Sequence, residues 1–296
     1  MEFGAGKGKS VKIFSYIVLA LFALCCIIPL LNIVMISFTD SSSIDTYGYS
    51  LLPKVLTLEA YELLFENPTT IVDAYGVTLF VTIVGTFLAV LIGVQFAYGL
   101  SRKNYVLRNQ SSFYLYFTML FSGGTVPIYI LVTQYLGLKN SLWALILPYI
   151  VTPYNIFLIR TFIQGLPDTV FEAAKIDGAG EYTILYKMVY PMCKGGIATV
   201  TLFYLLSFWN AWYPCLLYIN KSKLYTLQYM LHVLMGKIET LNMEVANGMA
   251  VSYFQQLPED SLRMATCLVA IGPLIVAFPF FQKYFVRGIA VGAVKG

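Results

Sequence analysis

Residues 77–100 read VTLFVTIVGTFLAVLIGVQFAYGL, a run of apolar and small side chains without one charged residue. A helix needs about 20 such residues to cross the hydrocarbon layer of a bilayer. Because backbone N–H and C=O groups in lipid must be paired within their own segment, this run predicts a helix. It lacks the alternating pattern, about ten residues long, that marks a membrane-spanning strand.

Five further runs along the chain follow the same pattern. The predicted membrane spans are residues 13–37, 77–100, 113–136, 142–162, 197–219 and 264–286. The composition agrees, with 58% hydrophobic residues, 11% charged residues and a mean hydropathy of +0.73, whereas about 25% of the residues in a soluble domain are charged. The sequence therefore predicts an all-α, polytopic membrane protein with six transmembrane helices, in one transmembrane domain over residues 1–296.

The distribution of charge predicts the orientation of these spans. The first run follows a basic stretch, as a signal peptide would, but it is too long for one and no small-residue cleavage site follows it. Thirteen of the nineteen lysines and arginines fall on the side of the bilayer that holds the N-terminus, and such residues collect in short cytoplasmic loops. We expect an inner (plasma) membrane protein with both termini in the cytoplasm. The basic residues form no contiguous patch, so no nucleic-acid partner is expected.

Two long external segments, residues 38–75 and 220–263, each contain one predicted helix. Residues 58–65 follow Thr57, a candidate cap, and leucines recur at helical spacing in residues 224–237. The second helix is too short for a span and either folds over the external ends of the bundle or makes a specific contact. Inside the spans, residues such as Gly123 and Gly124 predict kinks, although glycine and proline are common in membrane helices.

No constellation of residues for bond chemistry stands out in the chain. The stretch Gly6-Lys7-Gly8-Lys9-Ser10 resembles the end of a phosphate-binding loop, but the first glycine of that motif would fall at Phe3. Five cysteines are scattered without a Cys-x-x-Cys pair and are expected to be buried, inert thiols. His232 is the single histidine, so it has no second histidine with which to share a metal. We expect no catalytic residue, no metal site and no cofactor bound by this chain.

The polar loop of residues 166–191, between the fourth and fifth predicted spans, reads LPDTVFEAAKIDGAGEYTILYKMVYP. Thr169, with Glu172 three residues later, predicts a capping box at the start of a helix. Gly178 predicts the left-handed residue that ends this helix. A second short helix is expected from Glu181 until Pro191 stops it.

Each residue of the first loop helix has an ordinary explanation, with Glu172 as a cap and the alanines as helix formers. The small side chains nevertheless form a smooth face beside Phe171 and Ile176 in a region exposed to water. Such a face suits insertion into a groove on another protein. The order Glu172-Ala173-Ala174, three residues, then Gly178 resembles the EAA motif of permease subunits of binding-protein-dependent ABC importers.

The resemblance implies a type I ABC importer permease fold in which the loop carries a cytoplasmic coupling helix seated in a cleft of an ATPase. Met188 and Tyr190 stand where this family usually has isoleucine and leucine. The implied partners are a homologous permease that forms a heterodimer, two ATPase subunits that bind ATP and Mg, and an external solute-binding protein. The residues that the resemblance assigns to ATPase coupling are Glu172, Ala173, Ala174, Asp177, Gly178 and Pro191.

Other stretches resemble carbohydrate-importer permeases related to the second permease of the maltose system. They include Trp209-Asn210-x-Trp212 and residues 280–288, which read FFQKYFVRG. Within that group, the similarity is to oligosaccharide and polysaccharide importers, including the alginate importer, which implies a saccharide substrate and leaves an acidic sugar possible. Sugar sites pair aromatic faces with amide and hydroxyl groups. The candidates to line the sugar path are Tyr154, Asn155, Trp209, Asn210 and Trp212.

The sequence predicts an importer that works by alternating access and is driven by partner ATPases. Two other functions are possible for a membrane protein of this kind. An ion-coupled secondary sugar carrier usually needs intramembrane acids, and the predicted spans contain no aspartate or glutamate, although sites built from carbonyl groups alone are known. A membrane-embedded enzyme of saccharide metabolism would need an acid–base pair or a metal cluster. The sequence favours the importer.

Overall fold

The computed structural model describes residues 5–66, 68–246 and 259–293, and helices dominate all three stretches. Apart from one isolated bridge between Thr39 and Leu56, the described residues form no β-structure. The all-α prediction is therefore confirmed. The α-helices, numbered in chain order, are α1 Ala5–Ser37, α2 Ser41–Tyr47, α3 Glu59–Leu64, α4 Pro68–Ser101, α5 Arg108–Leu120, α6 Thr125–Ile130, α7 Trp143–Ile146, α8 Pro153–Gln164, α9 Asp168–Ile176, α10 Glu181–Ile184, α11 Tyr190–Met192, α12 Lys194–Trp209, α13 Trp212–Tyr218, α14 Leu227–Ala246 and α15 Glu259–Ala293.

Three helices are each long and apolar enough to cross a membrane by themselves. The qualifying stretches are Val11–Ser37, Pro68–Ser101 and Asp260–Pro279. The predicted spans 13–37, 77–100 and 264–286 lie within α1, α4 and α15. Three bent pairs of helices bring the number of candidate spans to as many as six.

The predicted third span, residues 113–136, is a broken helix. Arg108–Leu120 and Thr125–Tyr135 are inclined to each other by 113°. Gly124 has φ +86°, a left-handed conformation that favours glycine, and α6 begins directly after it. A π-helical turn at Leu131–Tyr135 then extends α6. The kink predicted at Gly123 and Gly124 is therefore present, and it is sharp enough to divide the predicted span into two helices.

The predicted fourth and fifth spans are also broken. In the fourth, Trp143–Tyr149 and Pro153–Gln164 are bent by 51°, because Thr152 precedes a proline and takes an extended conformation. In the fifth, α12 ends at Trp209, and α13 begins at Trp212 with Pro214 in its first turn, where a missing N–H costs nothing. The predicted spans 142–162 and 197–219 are thus each formed by more than one helix.

Contacts within the chain divide it into two compact units. The first unit comprises Met1–Pro68 and Leu234–Gly272. Within it, the hydroxyl groups of Ser37 and Tyr61 lie 2.9 Å apart. Thr57 accepts a hydrogen bond of 3.1 Å from the backbone N–H of Glu59. The N-cap of α3 is nevertheless Leu58 and no side chain caps the helix, so the prediction of Thr57 as the cap was wrong.

The second unit comprises Thr69–Val233 and Pro273–Gly296. Its apolar core includes the fully buried side chains of Leu145 and Ile146 from α7 and of Ile156 and Ile159 from α8. Helices α8 and α12 pack closely at Gly196, where an added Cβ would lie 2.3 Å from the ring of Phe162. Close packing through glycine is common between membrane helices.

The five cysteines are free thiols in two different environments. Cys193 and Cys215 are buried, as predicted, and Cys267 is partly buried. Cys25 and Cys26 are exposed on α1, so the expectation of burial was wrong for this pair. Helix α1 is exposed over residues 11–31, so the part of the chain that the structure describes does not cover this pair.

Candidate functional site

The start of α9 differs from the predicted capping box. Pro167 occupies the N-cap position with φ −62° and ψ 132°, and no side chain caps the helix. Thr169 is already inside the first turn, so its hydroxyl is misplaced for a capping bond and the prediction was wrong. Asp168 instead places a negative charge in that turn, where it interacts favourably with the positive end of the helix dipole.

Asp168 also contacts Lys103, which follows the end of α4. The ammonium group of Lys103 donates a hydrogen bond of 2.8 Å to the carboxylate of Asp168. This bond, together with the positive charge of Lys103, lowers the pKa of Asp168 below its usual value. Both side chains are largely exposed, and an exposed ion pair contributes little to stability.

The end of α9 has the glycine geometry that the sequence predicted. Gly178 has φ +78°. The N–H of Gly178 donates to the carbonyl of Lys175 at 3.0 Å, and the N–H of Ala179 donates to the carbonyl of Ala174 at 2.9 Å. These two bonds form a Schellman motif, which satisfies carbonyl groups that the helix end would leave unpaired. Asp177 is the exposed C-cap residue.

The two faces of α9 have different environments. Phe171 and Ala174 are 7% and 5% exposed and belong to the core of the second unit. Glu172 and Ala173 are exposed, and Ile176 is 86% exposed. The sequence grouped Ala174 with Glu172 and Ala173 on one outward face, which the burial of Ala174 contradicts. Its position three residues after Phe171 places it on the inward face.

A cluster of charges anchors α9 to the end of α4. The guanidinium carbon of Arg102 lies 4.7 Å from the ring centroid of Phe171, within the range of a cation–π contact. Glu181 lies 3.4 Å from Arg102 and 3.3 Å from Lys175. The hydroxyl of Tyr98 in α4 also donates to Glu181. The cluster joins α4, α9 and α10.

The surroundings of Glu181 favour its charged form. Burial by itself raises the pKa of this carboxyl. The hydrogen bonds from Tyr98 and Lys175 and the positive charge of Arg102 outweigh burial and lower the pKa below its ordinary value. Glu181 is therefore ionised at neutral pH and holds both cations.

The second loop helix continues past Pro191. The helical path runs from α10 through a π-helical turn at Leu185–Val189 into α11, which ends at Met192. Proline removes one backbone N–H from the helix, and a wider π turn directly before it accommodates the interruption. The prediction that Pro191 stops the helix was wrong by one residue, and the sharp bend of 83° follows Met192.

The five predicted sugar-lining residues fall into two groups. Trp209 is 3% exposed and Asn155 is 6% exposed, so both pack inside the chain. Tyr154, Asn210 and Trp212 are exposed. The structure thus leaves the second group accessible to a solute and the first group inaccessible.

A pair of hydroxyl groups beside the exposed Trp212 was not predicted from the sequence. Tyr213 and Thr125 place their hydroxyl oxygens 3.3 Å apart, next to the breaks that precede α13 and α6. The ring of Trp212 lies 5.0 Å from His232 and 5.7 Å from Tyr213. Proximity of Thr125 to Tyr213 has no signal in a single sequence, because 88 positions separate them.

A cavity of about 510 Å³ lies beside α9, and the charged residues of its lining are Arg102, Lys103, Arg108, Asp168, Glu172 and Lys175. Within the described residues, no group of three or more His, Cys, Asp or Glu side chains is arranged to hold a metal ion.

Comparison with known proteins relates this fold to membrane transport. The family model described as the inner membrane component of binding-protein-dependent transport systems matches residues 82–291. The polygalacturonan/rhamnogalacturonan transport system permease protein YtcP of Bacillus subtilis is 34% identical, over 98% of this chain and 100% of its own length. The arabinooligosaccharides transport system permease protein AraQ of Halalkalibacterium halodurans is 28% identical, over 98% of this chain and 100% of its own length.

A solved structure has the same architecture. It is a chain from the crystal structure of a bacterial ABC transporter involved in the import of the acidic polysaccharide alginate, with a TM-score of 0.79 and 25% sequence identity. The similarity covers 96% of this chain and 100% of that one. The chain therefore belongs to the family of inner membrane components of binding-protein-dependent transport systems and is an ABC importer permease.

Proposed function

We propose that this permease imports a saccharide, most specifically an oligosaccharide, in a complex with a homologous permease, two ATPase subunits and an external solute-binding protein. The observation that carries the coupling role is the outward face of α9, where Glu172, Ala173 and Ile176 are exposed on a helix whose other face is anchored. An exposed isoleucine between small and acidic residues suits a groove on a partner protein. ATP and Mg are then bound by the ATPase subunits alone.

Saccharide as the substrate class is supported by the relatives and by the accessible side chains. The names of the similar permeases refer to polygalacturonan, rhamnogalacturonan and arabinooligosaccharides, and the similar structure belongs to an alginate importer. The exposed Tyr154, Asn210 and Trp212 supply the aromatic faces and the amide group that sugars use. Lys221 and Lys223 are exposed near the end of α13 and would attract an acidic sugar.

The mechanism proposed is alternating access. Closure of the ATPase dimer on ATP moves α9, and the cluster of Arg102, Phe171 and Glu181 transmits that movement to α4. The broken spans then rearrange around the sugar path. Irregular backbone at membrane depth is stable only where it faces protein or a water-filled cavity, so we expect the breaks in these spans to line that path. Loop 166–191 and both termini lie in the cytoplasm in this arrangement, as the lysine and arginine distribution favours.

The experiment is reconstitution of the chain with its partner subunits in proteoliposomes, followed by an assay of ATP hydrolysis. Oligosaccharides from galacturonan, arabinan, alginate and starch, each presented with the binding protein, form the substrate panel. We expect one class to stimulate hydrolysis and to enter the vesicles. Uptake that proceeds without ATPase subunits would instead support an ion-coupled carrier, and no stimulation by any saccharide would contradict the substrate class.

Fusion proteins test the orientation of the chain in the membrane. Green fluorescent protein fused after Gly296 fluoresces only when it remains in the cytoplasm, and alkaline phosphatase at the same position is active only outside. We expect fluorescence and no phosphatase activity. The reverse result would place the C-terminus outside and contradict the proposed position of loop 166–191.

A further inference from the structure

The longest helices of the three broken spans, α5, α8 and α12, are aligned at one end. Ser112, four residues after the start of α5, accepts a hydrogen bond of 3.1 Å from Nη1 of Arg160, four residues before the end of α8. Gly196, two residues after the start of α12, packs against the ring of Phe162, two residues before the end of α8. The start of α5, the end of α8 and the start of α12 therefore lie at about the same level.

The breaks at the other ends of these helices also share a depth. Helix α5 has 13 residues, α8 has 12 and α12 has 16. At 1.5 Å per residue, each break is about 18–24 Å from the shared level. The hydrocarbon layer is about 30 Å thick, so all three breaks fall at membrane depth. Interrupted helices at that depth form the substrate sites of other membrane transporters.

Side chains at these breaks come together at Tyr213. The hydroxyl oxygens of Thr125, which begins α6, and Tyr213, in the first turn of α13, are 3.3 Å apart. Tyr149 is the last helical residue before the break that precedes α8, and it lies close enough to Tyr213 for an electrostatic interaction. Tyr213, beside its own break, is therefore near residues of both other breaks.

The hydroxyl groups at this meeting point keep unused hydrogen-bonding capacity. The backbone between α12 and α13 has a protein partner, because the hydroxyl of Thr226 donates to the carbonyl of Ala211 at 3.3 Å. Thr125 and Tyr213 are exposed, and among the described residues their hydroxyls hydrogen-bond only to each other. Each hydroxyl has one donor and two acceptor positions. Hydrocarbon would leave the remaining positions unpaired at a cost, so the pair faces water or a polar ligand.

Aromatic and amide groups are accessible beside the hydroxyl pair. The exposed ring of Trp212 lies 5.7 Å from that of Tyr213, edge to face. The exposed candidates Tyr154 and Asn210 flank the breaks before α8 and α13. All the predicted sugar-lining residues that stay accessible are thus next to the breaks. A ring face combined with hydroxyl groups matches a sugar, which has an apolar C–H face and a rim of hydroxyls.

We propose that the hydroxyl groups of Thr125 and Tyr213 bind one sugar residue of the transported saccharide, with the ring of Trp212 against its apolar face. The proposal rests on the saccharide import proposed above and assigns its specificity to two residues. A site built to hydrogen-bond a hydroxyl group rejects analogues that lack it, because its own polar groups are then left unpaired. The pair therefore selects saccharides by the position of their hydroxyl groups.

The test measures saccharide binding by the complex itself, reconstituted in nanodiscs without the binding protein, by saturation-transfer NMR. The probes are trigalacturonate, arabinotriose, trimannuronate and maltotriose, and uptake of each into proteoliposomes with the binding protein is measured in parallel. Tyr213→Phe/Thr125→Val removes both hydroxyls and keeps the side-chain shapes. For the imported saccharide, we expect the Kd of this variant to rise about tenfold and uptake to fall, with a melting temperature close to that of the wild type.

Two comparisons assign the effect to these hydroxyl groups. Tyr135→Phe/Thr133→Val removes the same two hydroxyls from the π-helical turn Leu131–Tyr135 and should bind saccharide as the wild type does. Thr125→Ser retains a hydroxyl at position 125 and should also bind as the wild type, whereas Thr125→Val alone should bind more weakly. Equal weakening by serine and valine, or weakening in the Tyr135→Phe/Thr133→Val control, would overturn the proposal.

The outcomes separate this site from the proposed function. Binding and uptake by the Tyr213→Phe/Thr125→Val complex equal to those of the wild type would overturn the site alone, since saccharide import would stand. A wild type that imports a saccharide without binding it in the nanodisc would do the same. Dissociation of the homologous permease from the variant would show that this partner covers the hydroxyl pair, which also overturns the site. A wild-type complex that neither binds nor imports any of the four probes would overturn both proposals.

Discussion

The guanidinium group of Arg102 lies over the ring of Phe171, with 4.7 Å between its central carbon and the ring centroid. Arg102 follows the last residue of α4, and Phe171 is on the inward face of α9. This contact connects a helix long enough to span the membrane with the loop helix that resembles a coupling helix. Under the proposed mechanism, we expect this contact to transmit a movement of α9 to α4.

Replacing Arg102 by alanine should weaken this connection. The side chain of Arg102 is 19% exposed, and loss of the ring contact and the Glu181 pair should destabilise the loop by about 1–3 kcal/mol. Hydrogen exchange of residues 168–176 measures the effect. Lys103→Ala is the matched control because its ion pair is exposed, and it should change stability by less than about 0.5 kcal/mol. Equal protection in both variants would contradict the anchoring role.

Substitution of Gly178 tests the end of α9. Alanine at φ +78° is strained, so Gly178→Ala should destabilise the helix end by about 1–2 kcal/mol. Limited proteolysis of the loop and the yield of co-purified ATPase report this change. Gly180→Ala is the control, because Gly180 has φ −72° and free space around an added Cβ. If both variants behaved as the wild type, the Schellman motif would be unimportant for the loop.

The packing of α12 on α8 gives a prediction that is independent of transport. Gly196→Ala would place a Cβ 2.3 Å from the Phe162 ring, and forcing the ring aside should cost about 1–3 kcal/mol. Thermal unfolding of the chain in detergent measures this cost. Gly99→Ala in α4 meets no atom within 4 Å and should leave the melting temperature unchanged or slightly higher. A Gly196→Ala variant as stable as Gly99→Ala would contradict the close approach of the two helices.

Comparison of two tryptophans separates solute contact from packing. Trp212→Ala removes an exposed ring and should reduce sugar-stimulated ATP hydrolysis about tenfold at low sugar concentration, with little change in melting temperature. Trp209→Ala removes a buried ring and should cost about 3–5 kcal/mol of stability. The rate of sugar-stimulated ATP hydrolysis and the melting temperature are measured for both variants. Stimulation that persists in Trp212→Ala would exclude this ring from the sugar path.

Features of the fold that depend only on residues close together in the sequence were predictable. The apolar run of α4 and the left-handed Gly178 are local, because each follows from chain composition or from one backbone angle. The glycines at 123 and 124 indicated a kink, but a bend of 113° depends on how α6 packs after the break. Sequence periodicity contains no information about that packing.

The inward face of α9 shows why the site was only partly predictable. Ile176 is more hydrophobic than Ala174, yet Ile176 is 86% exposed and Ala174 is 5% exposed. Hydrophobicity alone ranks these residues in the opposite order. Their exposure is decided by Phe171, which fixes the face that packs, and by Arg102, which is 69 positions before Phe171 in the chain. A contact at that separation cannot be recognised from one sequence.

We propose that the outward face of α9 provides the coupling between this permease and its ATPase. The most direct test of this proposal is sugar-stimulated ATP hydrolysis by the reconstituted complex that carries Glu172→Lys with Ala173→Asp, compared with Lys187→Glu at an exposed position of the same loop. We predict that the first variant loses stimulation by about tenfold or more while the chain keeps its melting temperature, and that the control retains it. Full stimulation in the Glu172→Lys/Ala173→Asp complex would contradict the account.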